Sequence, residues 1–349
     1  MKKMHKWMAV SLAIILVIAT LAGCSSGGDK SNSLTRDNST AIKLTRANGE
    51  TYPNRQIELI IPLAAGGGTD VFCRQIANAL YKIIGQPVVV NNMEGSSGMK
   101  GIGAALQAKP DGYTLIAFNP PSQPLAQMLL NPGFDMRNLT PINYYAYDAV
   151  CMLARTDLPY NTFPEVLEAY KSGKLTTIGA TGVGSLDEIG ARLLKKDAGL
   201  NYQKTVTYNG SGELVSALLR GEVPIGFAPT GSSLTQIKDK ELKAIMVLTN
   251  KRFPALPDVP AYGQDYKGVN IDAVVQQNRI IAGPPGLPDD IRDYLDKAIQ
   301  QALKDKDLIA WAEKNNLPIL GKGSQDAKAV LNDAFKIPEL IPLDQLKQK

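Results

Sequence analysis

The chain has 349 residues, of which 44% are apolar and 20% are charged, a composition typical of globular proteins with sizeable cores. Its one histidine is His5, so the rest of the chain offers no Ser-His-Asp or Cys-His nucleophilic site and no histidine-ligated zinc. The formal net charge of +5 is mild, and no basic cluster interleaved with aromatic residues stands out. We expect no nucleic-acid partner, no metal and no cofactor, and the length predicts two domains.

The N-terminus has the pattern of an export signal. Three lysines within the first six residues precede an uncharged stretch over residues 8–23, too short as a helix for the roughly 30 Å core of a bilayer. The stretch ends in LAGC at residues 21–24, which resembles a bacterial lipobox. This implies removal of residues 1–23, lipidation of Cys24 and an extracytoplasmic protein anchored by lipid, at the cell surface or in the periplasm. An ordinary signal peptide or short anchor is the alternative.

Residues 24–51 are rich in Ser, Gly, Asn and Thr and contain few apolar residues. Such a segment buries too little surface to offset its ordering entropy, so we predict a flexible tether and a folded body that starts near Tyr52. Within the body, Cys73 and Cys151 could form a disulfide, but two cysteines impose no framework, and two buried free thiols are the favoured interpretation.

The body opens with an alternation of strands and helices. Residues 57–61 predict a strand, residues 62–70 a loop, and the apolar positions that follow predict a helix whose buried face is Phe72, Ile76, Ala79, Leu80 and Ile83. Gly85 is placed to end this helix. A strand at 87–90, a helix at 99–108 and a strand at 113–118 follow, and this order is typical of a mainly parallel sheet with helices on both faces.

A second unit repeats the theme. It has predicted strands at 176–180, 206–208, 224–228 and 244–248, with helices at 186–196 and 212–220. A strand at 274–282 leads back to the first unit, and residues 289–303 predict a helix. We therefore predict an α/β fold of two lobes, residues 52–152 plus 272–349 and residues 153–271.

Each unit has a glycine-rich turn between its first strand and the next helix: the first glycine loop (residues 66–70) and the second glycine loop (residues 182–185). Free N–H groups and a partial positive charge at a helix start attract anions, and glycine lets a ligand approach closely. Neither loop is a P-loop or a dinucleotide fingerprint. Two facing loops would hold a small anion; the alternative is plain turns, with Thr69 as N-cap and Asp70 complementing the helix dipole.

Several stretches together resemble the solute receptors of tripartite tricarboxylate transporters, the Bug family. They run in family order from about residue 52 to residue 315. The stretches are YPNRQI at 52–57, PLAAGGGTD at 62–70 with Arg74, GQPVVVNN at 85–92, PDGYTL at 110–115, YNG at 208–210, KRFPALPDVP at 251–260 and PPGLP at 284–288.

The resemblance implies a type II periplasmic-binding-protein fold of the Venus flytrap kind, in which two lobes close on a carboxylate. It implies no enzymatic activity, a small di- or tricarboxylate or acidic amino acid as ligand, membrane permease subunits as partners, and a monomer. A carboxylate-sensing receptor for a signalling system is the alternative. A hydrolase using Ser185 or Ser211 is disfavoured, because neither serine has a histidine partner.

Carried over from the family, the ligand site comprises both glycine loops and residues bordering the cleft at 119–123 and 229–231. Asp187 and Glu188 stand where the family often has a histidine. If either faces the cleft, a ligand with an amino group or a bound cation fits; otherwise both complement the helix dipole. Thr207 also replaces a usual proline. The predicted binding residues are Ala65, Gly66, Gly67, Gly68, Thr69, Asp70, Ser122, Thr181, Gly182, Val183, Gly184, Ser185, Asp187 and Thr230.

Overall fold

The computed structural model describes residues 33–36, 41–182, 185–266, 268, 271–340 and 342–346. In chain order the strands are β1 (Ser33–Arg36), β2 (Ile42–Thr45), β3 (Thr51–Tyr52), β4 (Ile57–Ile61), β5 (Val88–Asn92), β6 (Thr114–Phe118), β7 (Thr140–Asp148), β8 (Val150–Arg155), β9 (Thr177–Thr181), β10 (Lys204–Tyr208), β11 (Ile225–Pro229), β12 (Leu242–Val247), β13 (Gln277–Gly283) and β14 (Ile319–Lys322). The helices are α1 (Gly68–Ile84), α2 (Met99–Gln107), α3 (Ser122–Leu130), α4 (Phe163–Lys171), α5 (Leu186–Asp197), α6 (Ser211–Arg220), α7 (Thr230–Lys238), α8 (Tyr262–Asp265), α9 (Asp272–Val275), α10 (Asp289–Ala302), α11 (Lys306–Lys314), α12 (Ser324–Ala334), α13 (Ile337–Leu340) and α14 (Leu343–Leu346).

The N-terminal part of the folded body starts earlier than predicted. Residues 1–32, with the predicted signal segment and Cys24, lie outside the described residues. The predicted tether over residues 24–51 is corrected at its C-terminal end, because β2 pairs antiparallel with β1 and β3 and Leu44 is buried in the core of the first lobe. Composition concealed this strand, since one or two apolar side chains suffice to hold so short a segment on an existing core. In the described part of the chain, no helix has the length and apolarity to span a membrane.

The first lobe is built on a six-stranded sheet in the order β14-β7-β13-β6-β4-β5. Strand β4 is parallel to β5 and β6, whereas β13 is antiparallel to β6 and β7. The predicted apolar face of α1 is buried on this sheet, with Phe72 and Ile76 fully covered. Gly85 ends α1 in the left-handed region, at φ 65°, and its N–H donates to the Tyr81 carbonyl, as predicted.

The second lobe is built on a five-stranded sheet in the order β10-β9-β11-β8-β12. Strand β9 is parallel to β10 and β11, whereas β8 is antiparallel to β11 and β12. Both sheets are therefore mixed and contain more antiparallel pairing than the mainly parallel prediction. The antiparallel pairs come from strands that enter or leave at the lobe boundary. Cys73 and Cys151 are buried free thiols, one under each sheet.

The chain crosses between the lobes earlier than predicted. Strand β7 ends at Asp148 and β8 begins at Val150, so the crossing lies at Ala149 rather than after residue 152. On the return, Val274 and Val275 belong to α9 and are buried in the core of the second lobe, and β13 begins only at Gln277. A strand was predicted there because a short buried helix and a strand have the same apolar run.

The C-terminal segment returns to the second lobe, although residues 272–349 were all assigned to the first. Ile337, at the start of α13, is 1% exposed and lies in the core cluster under the second sheet. The Lys196 ammonium of α5 donates to the Leu340 carbonyl at 3.0 Å. The lobes are therefore linked by three chain segments.

Candidate functional site

A cavity of about 530 Å³ lies between the two lobes. The loop between β4 and α1 and the apolar side chains of Trp311 and Leu317 border it in the first lobe. Ser211, Gly231 and Ser232, at the starts of α6 and α7, border it in the second lobe. Its volume falls within the roughly 300–1,000 Å³ of small-molecule sites, and the lining combines apolar and polar groups as such sites do.

The first glycine loop places the start of α1 beside this cavity. Gly67, Gly68, Thr69 and Asp70 line it, and α1 begins at Gly68. Gly66 adopts φ 78°, a left-handed conformation that side chains disfavour, and this reverses the chain from β4 into the helix. The unpaired N–H groups of the first helical turn therefore lie beside the cavity. The neighbouring Ala65 and Gly66 are exposed and are not among the described residues that line the cavity.

The loop after β6 supplies a second wall. Asn119 is 3% exposed, lines the cavity, and its side-chain amide donates to Thr69 Oγ1 at 2.7 Å. Ser122, the residue predicted from this loop, is not among the described residues that line the cavity. It starts α3, and its backbone N–H donates to the Asn119 carbonyl at 2.9 Å. Ser122 thus supports the loop, while Asn119 borders the cavity.

Asp70 is a buried carboxylate held in its charged form. Burial pushes its pKa up, but the hydrogen bonds from the Arg74 guanidinium and from the Gly66 N–H outweigh burial and lower the pKa below its ordinary value. Arg74 lies one helical turn along α1, and its Nη2 is 2.9 Å from Asp70 Oδ1. Asp70 is therefore a charged and fixed part of the cavity wall, and Arg74 balances its negative charge.

The second glycine loop is arranged differently. Gly182 adopts φ 65°, and Ser185 caps α5 by accepting the Glu188 N–H at 3.2 Å, while Val183 and Gly184 lie outside the described residues. Of the described residues, none from this loop lines the cavity. Its residues therefore stay predicted ligand contacts without a described contact to the cavity.

Asp187 is buried and is not among the described residues that line the cavity, so its predicted contact with the ligand stays a prediction. It is 2% exposed, and its carboxylate accepts the hydroxyl of Thr181 at the end of β9. Burial raises the pKa of Asp187 to about 7, with the Thr181 hydrogen bond opposing the rise. The adjacent Glu188 is also buried and pairs with Arg192 at 2.6 Å.

Thr230 fastens the crossing between the lobes. It is fully buried at the start of α7, its backbone N–H donates to the Ala149 carbonyl at 2.7 Å, and its hydroxyl donates to Asp148 Oδ1. The Ala149 N–H donates to the same oxygen at 2.8 Å. Burial raises the pKa of Asp148, although Arg279 and these donors act against the rise. Thr230 therefore lies beneath the cavity, and its neighbours Pro229 and Gly231 line it.

Arg279, on β13, is a charged cavity residue that the sequence analysis did not predict. Its side chain is 5% exposed, and its Nη2 lies 4.0 Å from Asp148 Oδ2 and 3.4 Å from Gln277 Oε1. Nε and Nη1 are buried without a hydrogen-bond acceptor among the described residues. A Cβ placed on Gly68 would lie 3.6 Å from Nη2, so the guanidinium adjoins the start of α1. The available signal was a lone arginine directly before the apolar run at 280–282, since a buried charge needs a partner.

Residues 72–341 match the family model of the tripartite tricarboxylate transporter family receptor. The chain belongs to this family. Over 293 residues it is 30% identical to a UPF0065 protein of Bordetella pertussis, with 82% of this chain and 88% of the relative covered. The family is one of extracytoplasmic solute-binding receptors, so the predicted resemblance and fold are confirmed.

Solved structures share the two-lobe fold of this receptor. A TctC solute-binding protein from Polaromonas superposes with a TM-score of 0.71 at 26% identity, covering 83% of this chain and 99% of that one. MatC from Rhodopseudomonas palustris, solved with bound malate, gives a TM-score of 0.67 at 22% identity, covering 85% and 100%.

Proposed function

We propose that this receptor captures a small organic carboxylate in the cavity between its lobes and delivers it to a tripartite tricarboxylate-type membrane permease. The observation that carries the proposal is the interlobe cavity with the start of the 17-residue helix α1 in its wall. Helix starts favour anions by roughly 0.3–2 kcal/mol, and each charge-assisted hydrogen bond adds roughly 1.5–3 kcal/mol. Three or four such bonds reach the roughly 8 kcal/mol of micromolar binding.

Family membership supports the same ligand class. The family takes its name from tricarboxylate transport, and MatC shows that a protein of this fold holds the dicarboxylate malate. For this chain the argument stands on its own cavity, whose walls supply polar side chains such as Asn119 and Ser232 beside the apolar Trp311. This combination suits a carboxylate head with a short carbon skeleton.

We further propose that the protein is held at the outer face of the cytoplasmic membrane by lipid on Cys24. The support is the LAGC sequence at residues 21–24 after a short uncharged stretch. Two or more acyl chains anchor a protein stably, whereas one does so marginally. The segment between Cys24 and β1 would connect the anchor to the receptor body, within reach of the permease.

The binding proposal is tested by thermal unfolding of the protein lacking residues 1–23 against acetate, hexanoate, phenylacetate, malate, adipate, citrate and glutamate, each with its neutral amide. A carboxylate at 100 times its dissociation constant should add about 2.7 kcal/mol of stability. Ser232→Trp places a bulky ring in the cavity from an exposed position and should abolish the shift. Thr235→Trp, at an exposed position on the same helix α7, is the matched control and should keep it. Stabilisation by the amides alone, or by none of these compounds, would contradict the proposal.

A further inference from the structure

Arg279 presents a buried positive charge that the described residues satisfy only in part. A guanidinium carries five N–H donors, and the two nitrogens without acceptors among the described residues, Nε and Nη1, hold three of them. The contacts of Nη2 are weak: Gln277 Oε1 is at 3.4 Å and Asp148 Oδ2 is at 4.0 Å. Buried polar groups in folded proteins nearly always have partners, so this arrangement needs an explanation.

Asp148 does not supply that explanation. Its Oδ1 accepts from the Ala149 N–H and the Thr230 hydroxyl, and its Oδ2 stands beyond hydrogen-bond distance from Arg279. A buried ion pair offsets its desolvation only with close geometry and with its remaining donors satisfied. The pair of Arg279 and Asp148 has neither close geometry nor satisfied donors, so Arg279 can still bind a further anion.

The position of Arg279 matches that of a ligand contact. The residue lines the interlobe cavity, beside Gly68 at the start of α1 and beside Asp148 at the lobe crossing. We propose that Arg279 binds the carboxylate of the ligand and thereby sets the selectivity of the receptor for charged over neutral solutes. This inference rests on the proposed carboxylate-binding function, and it adds a side-chain cation to the backbone N–H groups and neutral polar side chains that border the cavity.

Charge removal on either side of the pair gives opposite expectations. Arg279→Met should weaken binding of the tightest carboxylate of the panel about 100-fold and remove its advantage over the matching amide. Arg279→Lys should bind with intermediate affinity, because it keeps the charge without the planar donor fork. Asp148→Asn keeps Oδ1 for Ala149 and Thr230 but removes the competing negative charge, and should tighten carboxylate binding several-fold. Titration calorimetry measures each dissociation constant.

The double variant Asp148→Asn/Arg279→Met distinguishes two roles of Arg279, binding of the ligand carboxylate and neutralisation of Asp148. It tests the proposal even if Arg279→Met folds poorly. Recognition by Arg279 requires the double variant to bind carboxylates as weakly as Arg279→Met. If Arg279 only neutralises Asp148, both single variants bind weakly and the double variant recovers, which overturns the inference. Arg220→Met, an exposed charge removal on α6, should bind as the wild type does. A wild-type protein that binds no carboxylate at all is a different result, since it refutes the proposed function itself.

Discussion

The starts of α1 and α5 follow the same sequence pattern and reach opposite electrostatic states. Each helix follows a glycine in the left-handed region and carries a buried acid in its first turn. Asp70 has the Arg74 guanidinium and the Gly66 N–H as donors, and its pKa is lowered. Asp187 has the Thr181 hydroxyl, and its pKa is raised to about 7. A helix dipole alone therefore does not decide the charge of a first-turn acid; the donors around its carboxylate do.

The largest expected effect on the free energy of unfolding comes from replacing Asp187 with a residue that does not titrate. Asp187 has a folded-state pKa above its unfolded value of 3.8, so the folded protein loses stability as pH rises through about 7. Asp187→Asn keeps an acceptor for Thr181 and removes this loss. We expect the variant to exceed the wild type in free energy of unfolding at pH 8 by on the order of 3 kcal/mol, with little difference at pH 4.

Urea unfolding at both pH values measures this difference. Asp239→Asn, at an exposed position after α7, is the matched control and should leave the pH dependence unchanged. Parallel stability curves for Asp187→Asn and wild type between pH 4 and pH 8 would show that Asp187 is ionised in both states.

A smaller effect is expected when Asp70 loses its neighbouring cation, so that its surroundings resemble those of Asp187. Arg74→Met removes the cation beside Asp70, whose lowered pKa stabilises the fold above pH 4. Arg74 is 47% exposed, so solvent screening limits the loss to about 1 kcal/mol at pH 7, and the loss should vanish as pH falls below the pKa of Asp70. Thermal unfolding across pH measures it. The exposed pair of Arg220 and Glu222 is the reference, and an equal loss from Arg220→Met would contradict a special role for burial.

The last effect, no larger than that of Arg74→Met, tests what the two glycine loops share. Gly66 and Gly182 have φ values of 78° and 65°, and a Cβ on either would meet no atom of the described residues within 4 Å. Gly66→Ala and Gly182→Ala should therefore each cost about 1 kcal/mol of folding free energy through backbone strain alone. Urea unfolding of both variants should give similar values. A much larger cost at one of them would mean that a close contact, and not the backbone, requires glycine there.

The sequence was most informative where structure is local. The apolar spacing of Phe72, Ile76 and Leu80 predicted α1, and Gly85 predicted its end, because both signals lie within one helix. The first glycine loop lies between β4 and α1 and Gly67 to Asp70 line the cavity, while their contact with a ligand stays a prediction. Strand β2 was not predicted because its segment contains few apolar residues. The return of Ile337 to the second lobe was not predicted because its packing partners are far away in sequence.

Of the predicted site residues that the structure describes, those that line the cavity all come from the first glycine loop. Asp187 and Thr230 were assigned to the ligand, but Thr181 and Asp148 engage their side chains inside the protein. Neither contact is encoded in the spacing of the chain, since each depends on how a helix start packs on a strand end. Arg279 was missed for the same reason. It is a candidate ligand contact because two of its nitrogens have no hydrogen-bond acceptor among the described residues, and this depends on the three-dimensional structure.

The third connection between the lobes has a mechanical consequence. Two connections, at Ala149 and at α9, would leave one half free to swing about a line through them. The segment from α12 to Ile337 adds a third connection, and its C-terminal end is buried under the second sheet. Rotation of one lobe against the other would bend the turn at residues 335–336 or withdraw Ile337 from the core of the second lobe, so we expect this segment to restrict how far the lobes separate.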